Sequence, residues 1–270
     1  MKISVIIPSY KPQAYLWECL DSLYSQTFPK EEFEVILVLN GCCEPYKSQI
    51  QKYLIEHPEL NVNFIQTDQG GVSNARNIAL DVAKGEYVTF IDDDDFVSSE
   101  FLFELYKVVT PEIVSVCKPF AFFDGGGEKK DYPIAKVYDR LYQKGITTPV
   151  KVRKYFSGPC MKLIPMNFIQ DRRYDVRFKN GEDSIFMFLI SDRIDKIVFA
   201  NPKSVYYRRF RNGSAVTANR TWRQIISNNL KMIGVYCSIY FKAPYNYSIE
   251  LFITRILSAI HSIIVGVRKI

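Results

Sequence analysis

Acidic residues all but disappear from the C-terminal part of this 270-residue chain. Residues 196–270 hold twelve Lys and Arg and one acid, Glu250, whereas residues 1–195 hold 23 basic and 28 acidic residues. The formal net charge of +6 thus averages an acidic body and a basic tail, which points to a different partner for each. The basic part calls for an anion: a nucleic acid, an anionic membrane surface or a phosphorylated ligand. Histidine is scarce, and neither His57 nor His261 stands at ligand spacing from other His, Cys or acidic residues, so both read as structural. The six cysteines form no CxxC pair, and the chain opens directly into an apolar run with no signal peptide before it; both favour a reducing cytosol. Long hydrophobic runs are missing too. The stretch from Ile256 to Val267 is broken by His261 and falls short of the ~20 residues of a spanning helix, so no transmembrane helix is expected. Neither G-x-x-x-x-G-K-[ST] nor G-x-G-x-x-G follows the first apolar run, where Pro8-Ser9-Tyr10-Lys11-Pro12 stands instead, and this disfavours P-loop and dinucleotide chemistry.

What is present suits a folded α/β protein. Apolar residues make up 47% and charged residues 24%, which excludes disorder, and the length allows a sizeable core. Ile3–Ile7, Phe33–Leu39, Val62–Ile65, Tyr87–Ile91 and Ile113–Cys117 are short apolar runs that predict strands buried on both faces of a parallel sheet. Segments of helical spacing separate them, with Ser73 and Ser99 placed where N-caps belong. Ligands of such sheets bind outside the carboxyl ends of the strands. Gly125-Gly126-Gly127 reads as a turn, and from Arg220 onward the pattern is helical. In the last segment Glu250, Thr254, Ser258 and His261 share a narrow polar stripe, which predicts an amphipathic helix that either packs on the body or lies on a bilayer.

The strongest chemical feature is Asp92-Asp93-Asp94-Asp95, directly after the fourth predicted strand. Adjacent carboxylates raise one another's pKa unless a cation sits among them, and oxygen ligands suit Mg²⁺ or Mn²⁺. With one or two protein carboxylates, such an ion completes its shell with water and phosphate, so a phosphate-bearing substrate follows. The bland alternative for the run is a solvated acidic turn.

Three segments in register carry a resemblance. Ser4-Val5-Ile6-Ile7-Pro8-Ser9-Tyr10, then Gly70-Gly71-Val72-Ser73-Asn74-Ala75-Arg76-Asn77, then Gly85 to Asp95 resemble the inverting family 2 glycosyltransferases. Met161-Lys162-Leu163, Gly181-Glu182-Asp183 with Phe186, and Tyr206-Tyr207-Arg208-Arg209 with Gly213-Ser214 extend the likeness to about residue 215. The resemblance implies the GT-A fold, a Rossmann-like mostly parallel sheet flanked by helices, with a helical C-terminal extension. It implies a catalytic domain over 1–219, with a donor-binding half of about 1–117 and an acceptor half of about 118–219, followed by an extension over 220–270.

The implied activity is inverting transfer of a sugar from a nucleotide diphosphate donor, a UDP-sugar, to a saccharide or lipid-linked acceptor in surface polysaccharide synthesis. Asp183 matches the family's catalytic base, which takes the proton of the acceptor hydroxyl. Asp94 matches the metal ligand, with Asp92 or Asp93 either touching the ribose or supporting the metal. Pro8 and Tyr10 would line the nucleoside pocket, Arg76 would contact the donor base, and Arg208 would close over the diphosphate. Asn40 stands where the family generally has Asp, keeping a carbonyl acceptor without the charge. The implied partners are the donor, the acceptor and a peripheral membrane contact through 249–270 at the inner face of the cell membrane. Nucleic acid is not expected, since no recognition motif accompanies the basic tail. Two other readings stand beside this one: a nucleotidyltransferase, which predicts a Gly-rich stretch after the first strand, and a catalytically inactive sugar-nucleotide-binding or membrane-associated subunit.

Overall fold

A computed structural model describes residues 1–125, 128–211 and 221–268. Gly126, Gly127, the Gly213-Ser214 element and Lys269 lie outside the described residues. The strands are β1 (Ile3–Ser9), β2 (Phe33–Asn40), β3 (Val62–Thr67), β4 (Tyr87–Phe90), β5 (Phe96–Val97), β6 (Ile113–Val116), β7 (Lys118–Phe123), β8 (Lys162–Pro165), β9 (Lys196–Phe199) and β10 (Val205–Phe210). The α-helices are α1 (Tyr15–Tyr24), α2 (Tyr46–Glu56), α3 (Val72–Val82), α4 (Phe101–Tyr106), α5 (Pro133–Leu141), α6 (Met166–Ile169), α7 (Glu182–Leu189), α8 (Trp222–Lys242) and α9 (Ile249–Arg268).

A seven-stranded sheet runs β3-β2-β1-β4-β8-β6-β9. β1, β2, β3 and β4 pair in parallel, as their unbroken apolar runs predict, and every residue of β1, β2 and β4 is buried. Gly85 makes the join into β4 possible, because a Cβ there would stand 2.4 Å from the backbone nitrogen of Ser4. The fifth predicted strand, β6, is not the neighbour of the fourth. β8 lies between them, antiparallel to both. A smaller sheet, β5-β10-β7, sits just beyond the Asp92–Asp95 turn and holds β10 antiparallel to β5.

Two local expectations are corrected. Ser73 lies inside the first turn of α3, whose cap is Gly71 at φ 123°, and its hydroxyl has no partner among the described residues. Helix α4 begins after Glu100, without a side-chain cap, so Ser99 does not cap it either. Only α8 carries a side-chain cap among the described helices whose caps are defined, the reciprocal Thr221–Gln224 capping box.

The C-terminal pair α8–α9 forms a second core with α7, in which Met232, Tyr236, Leu251 and Phe252 meet Phe178, Ile185 and Phe188. Gly181, at φ 86°, starts α7 under this core, and a Cβ on it would stand 2.4 Å from Cε of Met232. The expectation of no membrane-length helix is also corrected. The window Ile249–Gly266 is long and apolar enough to cross a membrane by length and composition, at mean hydropathy 1.6. The window includes Glu250 and Arg255, and Arg255 turns inward and is 7% exposed. Leu251, Phe252 and Ala259 pack inward beside it, while Ile253, Leu257, Ile260 and Ile264 remain exposed on a stripe of helical spacing.

Candidate active site

Beyond the carboxyl end of β4, the backbone turns through Asp92–Asp95 into β5. The close spacing of these acids is tolerated because each is tied to a different element. Asp93 accepts from the Ser9 hydroxyl at the end of β1 (2.6 Å). Asp94 Oδ2 accepts from Arg211 Nε (2.7 Å). Asp95 is held by both oxygens: Oδ2 takes the Tyr206 hydroxyl (2.7 Å) and Oδ1 the backbone N–H of Arg209 (2.7 Å), both on β10. The Tyr206 hydroxyl also accepts from the Asp92 N–H (3.2 Å). Arg209 donates to the Asp94 carbonyl (2.9 Å) and to Asp124 (2.8 Å), and pairs with Glu18. The tie between β10 and the acidic turn places the family's Tyr-Arg segment directly against its Asp run.

Asp92 faces across to Asp183, 91 positions later in the chain. Between them lies the Arg76 guanidinium, 2% exposed, donating to Asp183 Oδ1 (2.5 Å) and to Asp92 Oδ1 (2.9 Å). Burial pushes the Asp183 carboxyl up, and Arg76 opposes that shift. Glu182 beside it is pushed up to about 7 by burial and then by the Asp183 charge. Asp183 Oδ1 is held by Arg76, and Oδ2 faces Gly158, where a Cβ would lie 3.7 Å from it, in ordinary van der Waals contact.

Asp92, Asp95, Tyr132, Gly158, Cys160, Asp183 and Arg208 share one cavity of about 110 Å³. Arg208 donates to the Tyr132 hydroxyl (2.8 Å). The wall formed by Ser157–Met161 is held from behind by two buried cations. Lys162 Nζ donates to the carbonyls of Gly158 (2.6 Å) and Cys160 (2.7 Å), and Arg255 Nη2 to that of Phe156 (2.7 Å). Burial pulls the Lys162 ammonium down to about 8. Met161 closes the wall at φ 70°, a costly conformation for a large side chain that clusters at functional sites.

The other expected donor residues lie at the strand ends of β1 and β2. Pro8 is buried within β1, and Tyr10 just beyond it is 54% exposed. Asn40 is buried and acts as a stitch, donating to the Ser9 carbonyl (2.7 Å) and accepting from the Gly71 N–H (2.8 Å). Sequence reasoning did not single out Ser9, Tyr132, Gly158 or Lys162, it read Arg255 only as one of the basic residues of the tail, and it placed Arg76 at the donor base rather than between two carboxylates. Ser9 and Lys162 stood inside the quoted segments. Nothing local marked Arg255, whose partner is 99 residues away.

A divalent cation fits the donor set of the turn. Burial, and to a lesser degree the neighbouring carboxylates, push Asp93 up to about 7 and raise Asp94, against the lowering by Ser9 and Arg211. Each Asp95 oxygen already accepts one hydrogen bond from β10. Asp92 Oδ2 and Asp94 Oδ1 have no partner among the described residues, and hard oxygens of this kind suit Mg²⁺ or Mn²⁺. No group of three or more metal-ligating side chains occurs among the described residues, so water and phosphate would complete the shell.

A family model described as glycosyl transferase family 2 matches residues 4–171, more than half of the chain. The chain belongs to glycosyl transferase family 2. This membership and the GT-A fold bear out the sequence reading. Among solved structures, Staphylococcus aureus TarS 1–349 in complex with UDP-GlcNAc superposes with a TM-score of 0.71 at 26% identity, covering 88% of this chain and 67% of that one. A Pyrobaculum calidifontis mannosyltransferase in complex with GDP-Man and Mn²⁺ shares the fold at TM-score 0.63 and 17% identity, covering 99% of this chain and 75% of that one. Among curated family 2 relatives, the glycosyltransferase GlyA of Streptococcus pneumoniae is 29% identical over 239 residues, 83% of this chain and 32% of that protein. Full-length TarS, a poly(ribitol-phosphate) β-N-acetylglucosaminyltransferase, is 42% identical over 102 residues, 38% of this chain and 18% of TarS. The chain thus spans less than a third of the length of either relative in these matches.

Proposed function

We propose that the chain is an inverting glycosyltransferase that moves a sugar from a UDP-sugar to a hydroxyl of a phosphate-bearing or lipid-linked surface polymer. The observation that carries this reading is the opposition of Asp183 and Asp92 in one cavity with Arg76 between them. TarS binds UDP-GlcNAc in its solved complex and is named for poly(ribitol-phosphate), which supports both the donor and the acceptor class.

Asp183 Oδ2 is the proton acceptor. As the acceptor oxygen attacks the anomeric carbon, its proton passes to this oxygen, and a single displacement inverts the centre without a protein nucleophile. Arg76 holds the carboxylate ionised and oriented, a positioning role. Gly158 leaves room beside Oδ2 for the incoming hydroxyl. Asp92 and Asp94 would hold Mg²⁺ or Mn²⁺, which when bound stabilises the departing diphosphate charge. Arg208, anchored on Tyr132, stands on the cavity wall where it adds a cation toward the leaving group. Pro8 and Tyr10 line the nucleoside side, with Asn40 fixing the loops around them.

The exposed stripe Ile253, Leu257, Ile260 and Ile264 on α9, in the basic part of the chain, supports a peripheral contact with the inner face of the cell membrane. The test of the whole reading is Mn²⁺-dependent hydrolysis and binding across a panel of UDP-, GDP- and TDP-sugars. Turnover of a UDP-sugar is expected, and failure to turn over or bind any donor would sink it.

A further inference from the structure

A second cavity, of about 310 Å³, lies in the region expected to serve the acceptor. Its lining includes five cations, Lys136 and Arg140 from α5 with Lys151, Arg153 and Lys154 from the segment leading to the Ser157–Met161 wall, and no acid. These residues are not one charge run laid along a surface. They come from two elements that packing brings together, with buried Val137 at the floor. Lys136 is paired with exposed Asp131 (2.7 Å), but Arg140, Lys151, Arg153 and Lys154 form no ion pair among the described residues. Like charges converging on one opening repel, and an anion that bridges several of them relieves the repulsion.

The position narrows the class of anion. Tyr132 and Ile134, at the start of α5, line the cavity that holds Asp183, while Lys136 and Arg140 further along line the basic one. The opposite side repeats the arrangement: Arg153 and Lys154 line the basic cavity, Ser157 and Gly158 the catalytic one. Residues 153–157 form a 3-10 turn in which Lys154 of the basic cavity directly precedes Tyr155 of the catalytic one, so the two cavities adjoin along the chain. None of the five cations lines the cavity of Asp92 and Asp183, so the donor diphosphate is not their ligand.

We infer that the basic cavity is an acceptor subsite that grips the phosphates of a phosphodiester chain while a hydroxyl of a nearby unit lies at Asp183. The inference rests on the transferase reading above for its word acceptor, and on the cavity alone for the binding of a polyanion. Guanidinium groups supply bidentate phosphate contacts and the lysines supply charge, an arrangement that holds a repeating anion without reading one particular sugar.

The probe is short-chain inorganic polyphosphate, titrated against the full chain and against an Arg140→Gln/Lys151→Gln/Arg153→Gln/Lys154→Gln variant, all four sites being exposed. Orthophosphate and phosphatidylglycerol vesicles serve as parallel arms. The wild type is expected to bind polyphosphate in a salt-sensitive manner and more tightly than orthophosphate, and the variant roughly tenfold or more weakly. UDP affinity and UDP-sugar hydrolysis are expected to stay at wild-type levels in the variant. Equal polyphosphate binding by both proteins overturns the proposal. So does a variant that loses vesicle binding alone, which would make the cluster a membrane patch. If the wild type turns over no nucleotide sugar but the variant still loses polyphosphate, the transferase reading fails and the polyanion site stands.

Discussion

Asp92–Asp95 and Glu182–Asp183 are both acidic runs at element boundaries, yet the fold treats them in opposite ways. Every residue of the first run is tied to another segment, through Ser9, Arg76, Arg211, Tyr206 or Arg209. Among the described residues, Asp183 of the second run has one side-chain partner, Arg76, and Glu182 Oε2 has none. The first is a fixed platform of charge. The second offers a single carboxylate held, as Asp92 is, by one oxygen alone. A divalent cation, through which carboxylates can accommodate a diphosphate, would need the former. An acceptor proton needs the latter, because the receiving oxygen cannot already be occupied.

The largest expected effect breaks the second run. Asp183→Asn keeps the size but removes the proton acceptor, so sugar transfer should fall ~10²–10⁴-fold, as general-base losses do. UDP affinity by calorimetry should stay within about twofold, and a variant retaining wild-type transfer would remove Asp183 from the base role.

Arg76→Gln next attacks the link between the runs. It leaves two carboxylates facing each other without their cation, and breaking such a buried pair costs about 3–5 kcal/mol, read as a lower melting temperature. The pH profile separates this from simple destabilisation. Asp183 works when ionised, and activity is lost as pH falls through its folded-state pKa. Removing Arg76 raises that pKa, so the acid limb of the rate profile should move to higher pH.

Glu182→Gln sharpens the contrast from the stability side. The folded-state pKa of Glu182 is raised to about 7, so native protein keeps its proton while unfolded chain has lost it. Stability falls as pH rises through that window, and the neutral variant should be ~1–3 kcal/mol more stable at pH 8 but not at pH 4. An unchanged melting difference across pH would contradict it. The smallest effect tests the platform. Tyr206→Phe removes the hydroxyl that joins Asp95 to the Asp92 N–H, and urea unfolding should report a loss of about 1–2 kcal/mol with donor affinity reduced.

How much of this was legible in the chain follows the range of each interaction. Strands β1 to β4 could be read because a strand buried on both faces writes itself as a continuous apolar run. The acidic turn stood out for the same local reason, and Asp183 through a short motif in register with others. β8 was not legible as a strand, because its place between β4 and β6 depends on antiparallel pairing across distant segments. Arg76 was read as a donor contact because its partner Asp183 lies 107 residues away and only packing brings them together. Ser73 and Ser99 had the right chemistry for caps but the helices begin elsewhere, where Gly71 and Glu100 set the backbone.

The Arg255–Phe156 hydrogen bond couples α9 to the Ser157–Met161 wall. If α9 undocks, the Phe156 carbonyl loses its partner in a buried setting, and the segment that continues through Gly158 toward Asp183 is released with it. By linkage, anything that binds the exposed Ile253–Ile264 stripe only when α9 is docked adds its binding free energy to the closed wall. On the proposed reading, a surface ligand on the last helix would therefore raise the share of molecules in which Asp183 faces an ordered wall.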